Sequence, residues 1–148
     1  MLLPMREGLV QTWAADPEMA QLADRHYSRG TVGAAQFAPN GRKLILRDNA
    51  GLVVFVWLFP DPAYRADRQV GFNCTLFRNE SARLSSEIIL EAELLAIVEW
   101  GPGRAYTYVD ASRVASQNPG YCFKCAGWHY VGVSAGGKHL LEKVLVRA

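Results

Sequence analysis

Residues 84–100 place the tightest limit on what this chain can fold into. The segment has helix-forming composition, is apolar on most sides, and is stopped by Gly101-Pro102-Gly103. A helix without a polar face needs cover, and in a domain of 148 residues a sheet supplies it. Strand-like runs stand on either side, at residues 70–78 and 104–110. A strand, a helix and a second strand in one sheet predict a right-handed parallel crossover.

The rest of the chain extends that sheet. Residues 43–47 and 52–59 are strand-like and are joined by Asp48-Asn49-Ala50-Gly51, which reads as a hairpin turn. With residues 70–78 they form an antiparallel meander. Residues 8–13 form a short first strand. Asp16-Pro17-Glu18 then starts a helix, with Asp as N-cap, Pro at the first helical position and an acid in the first turn. Met19, Leu22, Ala23 and His26 fall on one face of it. Toward the C-terminus, a short helix at about residues 120–126 precedes strands at 128–133 and 139–146. The expected order is β-α-βββ-α-β-α-ββ, a mixed-sheet α/β fold. No linker, repeat or low-complexity stretch divides it, so residues 1–148 read as one domain.

Composition agrees. Hydrophobic residues at 50% and charged residues at 20% fit a folded globular chain and exclude disorder. The longest apolar run, residues 52–59, is too short to cross a bilayer, and residues 1–6 do not read as a signal peptide. Three cysteines (Cys74, Cys122, Cys125) without an export signal point to reduced thiols in a cytoplasm-like compartment. A net charge of +2 does not by itself announce a nucleic-acid binder. Its distribution says more. Glu87, Glu91, Glu93 and Glu99 concentrate acid on one helix, while arginines fill the loops and are available to phosphate. An ordinary mixed surface accounts for the same pattern equally well.

The element order resembles that of the GNAT acyltransferases. So does the segment Asn118-Pro119-Gly120-Tyr121-Cys122-Phe123-Lys124-Cys125-Ala126-Gly127-Trp128, in which an Asn precedes a helix that ends in a small residue, Gly and an aromatic. Other motifs resemble the phage-encoded Mom-like branch of this fold. They are Asp24-Arg25-His26-Tyr27-Ser28-Arg29, Phe77-Arg78-Asn79-Glu80, Leu84-Ser85-Ser86-Glu87, Tyr106-Thr107-Tyr108-Val109-Asp110 and Asn118-Pro119-Gly120. Together they span roughly residues 24 to 128. The resemblance implies an enzyme that adds a carbamoylmethyl-type group to the exocyclic amine of adenine in double-stranded DNA, protecting phage DNA from host nucleases. It implies acetyl-CoA as donor. A metal ion is also considered, because acyl transfer alone does not yield a carbamoylmethyl group. Two features depart from ordinary GNAT enzymes. The segment from Arg78 to Ser86 lacks the glycines of the usual pyrophosphate loop, and Phe123 stands where a tyrosine often protonates the departing thiolate.

Candidate residues follow. His26, Tyr27 and Ser28 are expected at the reaction centre, His26 as general base or metal ligand; a core histidine on the apolar helix face is the plain alternative. Asp110 ends the strand after the crossover, where ligands gather in open α/β sheets. It would orient a base, a metal or a neighbouring imidazole, or simply cap the loop before Ala111-Ser112. Tyr121 is a substitute acid for Phe123, or a packed aromatic. Ser85 and Ser86 open a helix whose N-terminus suits phosphate, with Arg78 and Asn118 beside them as donor-binding candidates and Arg83 as a supplement. Arg29, Arg65 and Arg68 are expected to grip DNA phosphates, and Phe37 and Tyr64 to receive a flipped base. Cys122-x2-Cys125-x3-His129 has partial zinc spacing without a fourth ligand. Two rival readings remain: a conventional acetyl-CoA-dependent N-acetyltransferase on a protein or small amine, and a non-enzymatic DNA-binding protein.

Overall fold

The computed structural model describes residues 8–26, 33–34, 36–59, 69–113 and 118–147. Its elements are β1 (Val10–Thr12), α1 (Pro17–Asp24), β2 (Arg42–Arg47), β3 (Val53–Phe59), β4 (Phe72–Asn79), α2 (Ser85–Trp100), β5 (Gly103–Val109), α3 (Tyr121–Cys125), β6 (His129–Val133) and β7 (His139–Leu145). This is the expected order. One seven-stranded sheet runs β1-β2-β3-β4-β5-β7-β6, with β4 and β5 parallel and all other pairs antiparallel.

Local chemistry accounts for the elements. Asp16 caps α1, its carboxylate accepting from the N–H groups of Glu18 and Met19. The same carboxylate takes the Thr12 hydroxyl at 2.7 Å and Arg47 Nη1 at 2.8 Å. It therefore ties the helix start to β1 and β2. In the hairpin between β2 and β3, Asp48 Oδ1 accepts from Leu52 N and Val53 N at 2.8 and 2.9 Å. Helix α2 buries Ile88, Ile89, Ala92, Glu93, Ala96 and Ile97 against the sheet, while Leu90, Leu94 and Val98 stay exposed on its far side.

Strand alternation divides the core between the two faces of the sheet. Val53, Phe55 and Trp57 pack with Ile88, Ile89, Ala92 and Trp128 on the side of α2 and α3. Val54 and Val56 pack with Met19, Leu22 and Ala23 on the side of α1. Each fully buried side chain of this size stabilises by roughly 1.5–3 kcal/mol. The two buried indoles are paired. Trp57 Nε1 donates to Ala92 O at 2.9 Å and Trp128 Nε1 to Glu93 Oε2 at 3.1 Å. Phe37, expected to face a flipped base, instead belongs to the α1-side cluster and is only 7% exposed. Its apolar ring gains more from that packing than from water, and its face is not offered to a ligand.

The parallel pair in the middle of the sheet is short. Phe72, Asn73 and Cys74 pair with Ala105, Tyr106 and Thr107. Beyond that rung the partners part, although β4 continues to Asn79 and β5 to Val109. On its other side, β4 is out of step with β3: Val56 pairs with Leu76 but Trp57 with Cys74. Thr75 is the extra residue of this bulge and has no partner in either neighbouring strand. At the start of β4, Gly71 has φ +123°, and a Cβ there would collide with the Arg104 carbonyl. Only glycine lets β4 come so close to β5 at this point.

Candidate active site

Where β4 and β5 part, the sheet opens into a cleft of about 280 Å³. Asn73, Thr75 and Phe77 line it from β4, and Thr107 and Tyr108 from β5. His26, just past α1, Phe123 of α3 and Lys138, just before β7, complete the wall. The cleft thus takes its walls from both sides of the sheet, and the divergence of two parallel strands makes it.

The electrostatics are one-sided. Among the described residues no carboxylate lines the cleft, and Lys138 supplies positive charge. Burial, with help from the Arg78 guanidinium, pushes the His26 imidazole down to about 4. His26 is therefore neutral at physiological pH. Burial pushes the Cys74 thiol up, so it is not a thiolate nucleophile. Asn73 Oδ1 and Thr75 Oγ1 are shielded from solvent and have no hydrogen-bond partner among the described residues.

At the far end of β4, Asn79 organises the turn into α2. Its Nδ2 donates to Arg83 O at 2.8 Å and to Ser85 Oγ at 2.9 Å, and its Oδ1 accepts from Ser81 N at 2.9 Å and Ser81 Oγ at 2.6 Å. A side-chain network shapes this turn, which holds no glycine between Arg78 and Ser86. The α2 cap residue is Leu84, which has no side-chain acceptor, so the first turn retains donor groups. Ser85 and Ser86 sit at that turn, and its positive dipole suits an anion such as a pyrophosphate. The residues present therefore fit a CoA-type donor. Neighbouring arginines are engaged: Glu80 binds Arg78 Nε at 2.6 Å and both Nε and Nη2 of Arg25 at 2.8 and 3.0 Å. Arg83 Nη1 pairs with Glu91 at 3.0 Å. The two guanidiniums beside Glu80 hold its carboxyl down at about 2.

The structure separates the other sequence-nominated residues. Asp110 lies in the turn after β5, outside the cleft lining. Its Oδ1 accepts from Ser112 N and Oγ at 3.1 and 2.6 Å, and these bonds hold its carboxyl below the ordinary range. That is the loop-capping arrangement. Tyr121 is 60% exposed on α3 and turns toward Cys125, whose thiol raises the phenol above its ordinary value. Phe123, on the other face of α3, is the residue that reaches the cleft. Asn118 accepts from Lys124 Nζ at 2.6 Å. Tyr27, Ser28, Arg29, Tyr64, Arg65 and Arg68 lie outside the described residues. Among the described residues no group of three or more His, Cys, Asp or Glu is placed to hold a metal ion, the Cys122–Cys125–His129 trio included. His129 instead faces Glu142 at 3.4 Å.

Sequence reasoning missed Asn73, Thr75, Tyr108, Lys138 and the role of Asn79. A signal existed for the first two: Asn73 and Thr75 are polar residues within the otherwise apolar stretch Phe72 to Phe77 of a central strand. Lys138 carried none, because only the fold brings the β6–β7 turn to the mouth of the cleft.

The structure is similar to the crystal structure of an acyl-CoA N-acyltransferase from Pseudomonas aeruginosa, with a TM-score of 0.53 and 15% sequence identity over 91% of this chain and 97% of that one. No family model and no curated protein matches the chain. The likeness shows a GNAT-like acyltransferase fold, as the element order led us to expect. No helix among the described residues is long and apolar enough to cross a membrane.

Proposed function

We propose that this protein is an acyl-CoA-dependent transferase whose acceptor is the exocyclic amine of adenine in DNA. The observation that carries the reading is the charge of the cleft. A lysine side chain, a protein N-terminus or a polyamine reaches an enzyme as an ammonium ion, and a site for it needs a carboxylate. The cleft offers none among its described lining and presents Lys138, with Arg78 close enough to depress His26. Such a wall repels a cationic acceptor. It tolerates an aromatic amine, which is neutral at physiological pH and arrives on a polyanion. The motif resemblance to Mom-like proteins points the same way for the acceptor; acyl transfer by itself gives an N-acyl adenine, and a carbamoylmethyl-type group would need a further step that supplies the amide nitrogen.

The donor, when bound, supplies an activated acyl carbon. The chain's own contributions are local. The first turn of α2, with Ser85 and Ser86, holds the donor's pyrophosphate by N–H groups and dipole. Thr75, out of both ladders, leaves backbone polar groups at the cleft. Neutral His26 takes the proton that the attacking nitrogen must lose, a role its free-base form permits. Phe123 keeps water from that wall and donates no proton.

The test is mass spectrometry of nucleosides from bacterial DNA after expression of the full chain, with His26→Ala as control. A new adenosine species that vanishes in the variant is expected, and its mass identifies the added group. Unchanged adenosine from soluble, folded protein overturns the reading. Acetyl-CoA turnover on cationic amines without DNA would then indicate a conventional N-acetyltransferase, and salt-dependent DNA affinity without product a binding protein.

A further inference from the structure

We infer that Asn73 and Thr75 form an amine-reading subsite on the floor of the cleft, selecting an acceptor that carries an N–H donor beside a ring-nitrogen acceptor. The inference rests on the neutral-amine reading above and names the residues that enforce it.

Both side chains line the cleft, and each has an oxygen that is shielded from solvent and has no hydrogen-bond partner among the described residues. A buried polar atom left without a partner is costly, so two together in one cleft mark a place where a bound molecule supplies the partners. The chemistry of the pair restricts that molecule. A carboxamide presents one acceptor and one donor side by side, and half a turn about its last bond only exchanges them. This is the complement of the adenine edge, where an exocyclic N–H lies next to a ring nitrogen. The Thr75 hydroxyl, which both donates and accepts, is a second polar group for the same ring edge, and the other N–H of the amine is left to His26.

Placement supports the assignment. Asn73 pairs in register with Tyr106, so by alternation it shares a sheet face with Tyr106 and Tyr108. Their rings meet edge to face at 6.0 Å, and Tyr108 lines the cleft. An aromatic wall beside a carboxamide is the setting in which a base is both stacked and read. Asn73 is also the last paired residue but one before the strands part, and Thr75 the first beyond it. The two flank the point at which the cleft opens.

The test uses the full chain in the nucleoside assay, comparing wild type with Asn73→Leu, Asn73→Asp, Thr75→Val and Thr75→Ser. Thermal melting and acetyl-CoA binding by calorimetry are followed for each. Asn73→Leu keeps the bulk and removes both polar atoms; modified adenosine is expected to fall at least ~10-fold, with acetyl-CoA affinity within about twofold of wild type. Asn73→Asp keeps the acceptor and removes the donor, and is expected to fall similarly. Thr75→Val is expected to lose product and Thr75→Ser to retain it, a contrast that a purely structural role in the bulge would not give. Wild-type levels of modified adenosine from folded Asn73→Leu overturn the inference and leave the proposed function intact. Absence of product from wild type overturns both.

Discussion

The Thr107 hydroxyl donates to the Cys74 carbonyl at 2.8 Å, across the last paired rung before β4 and β5 part. Thr107 is buried, and Cys74 is buried beside it. The bond fastens the two strands at the apex of the cleft, where one more rung would close it and one fewer would widen it. Thr107→Val keeps the shape and removes the donor. It is expected to lower unfolding free energy by roughly 1–3 kcal/mol, because the Cys74 carbonyl loses a partner in a buried place. Urea unfolding of both proteins measures this, and an unchanged midpoint would show that the carbonyl finds another donor.

Stability should depend on His26 in a defined pH window. Above pH 6.5 the imidazole is neutral in both the folded and the unfolded chain, and it contributes no pH dependence. Between 6.5 and about 4 the unfolded chain takes up a proton that the folded one refuses. Unfolding therefore becomes easier as pH falls through that window, and the effect levels off below about 4. Glu80, Glu142, Asp16 and Asp110 act mainly lower, since their carboxyls are held down in the folded chain, and the comparison with a His26 variant separates the imidazole from them. The slope of unfolding free energy between pH 6.5 and 4.5 should flatten in His26→Gln. An equal slope in both proteins would mean that the imidazole is not desolvated.

The elements were legible in the sequence because each is written locally. Asp16-Pro17 marks the start of α1, Gly101-Pro102 the end of α2, and the unbroken β-branched and aromatic run Val53 to Trp57 marks β3. His26 is different: its place on the apolar face of α1 points by itself to a core histidine, only the motif around it points to a site, and in the structure it lines the cleft. Asn73 and Lys138 were not, because the cleft they line exists only where two strands distant in sequence diverge. Phe37 differs from its expected exposure because, although it lies in a loop, it packs inward with Met19 and Leu22. Asp110 stands at a strand end, as its position in the chain indicates, and there it accepts from the hydroxyl two residues on.

Glu93 makes a third stability test. Only 5% exposed, it accepts from Trp128 Nε1 at 3.1 Å and pairs with Lys143 Nζ at 2.6 Å. Lys143 also donates to Ala126 O at 2.7 Å, so one ammonium joins α2, β7 and the end of α3. Lys143→Met leaves a carboxylate in the core without its cation. The expected cost is about 3 kcal/mol, read as a lower thermal midpoint at pH 7. The double variant Lys143→Met with Glu93→Gln should recover part of it, since an amide carries no charge to strand. Failure of the second change to recover anything would place the loss in packing rather than in charge.

Glu80 joins the stability of the site's rim to the proposed donor. It neutralises Arg25 and Arg78 at the end of β4, one turn of chain from the Ser85–Ser86 opening of α2. Glu80→Gln keeps a hydrogen-bonding side chain and releases two guanidiniums from their carboxylate. If the first turn of α2 receives a pyrophosphate, the added positive potential should tighten acetyl-CoA binding about two- to fivefold at low salt, an advantage that fades as ionic strength rises. The same change should push the His26 imidazole further down, because Arg78 then acts on it without a compensating anion. Calorimetry at two salt concentrations, with the imidazole titration followed by NMR, reads both effects. Tighter binding with no salt dependence would point to a rearranged turn instead. Weaker binding would show that Arg25 and Arg78 must be held by Glu80 for the donor to enter.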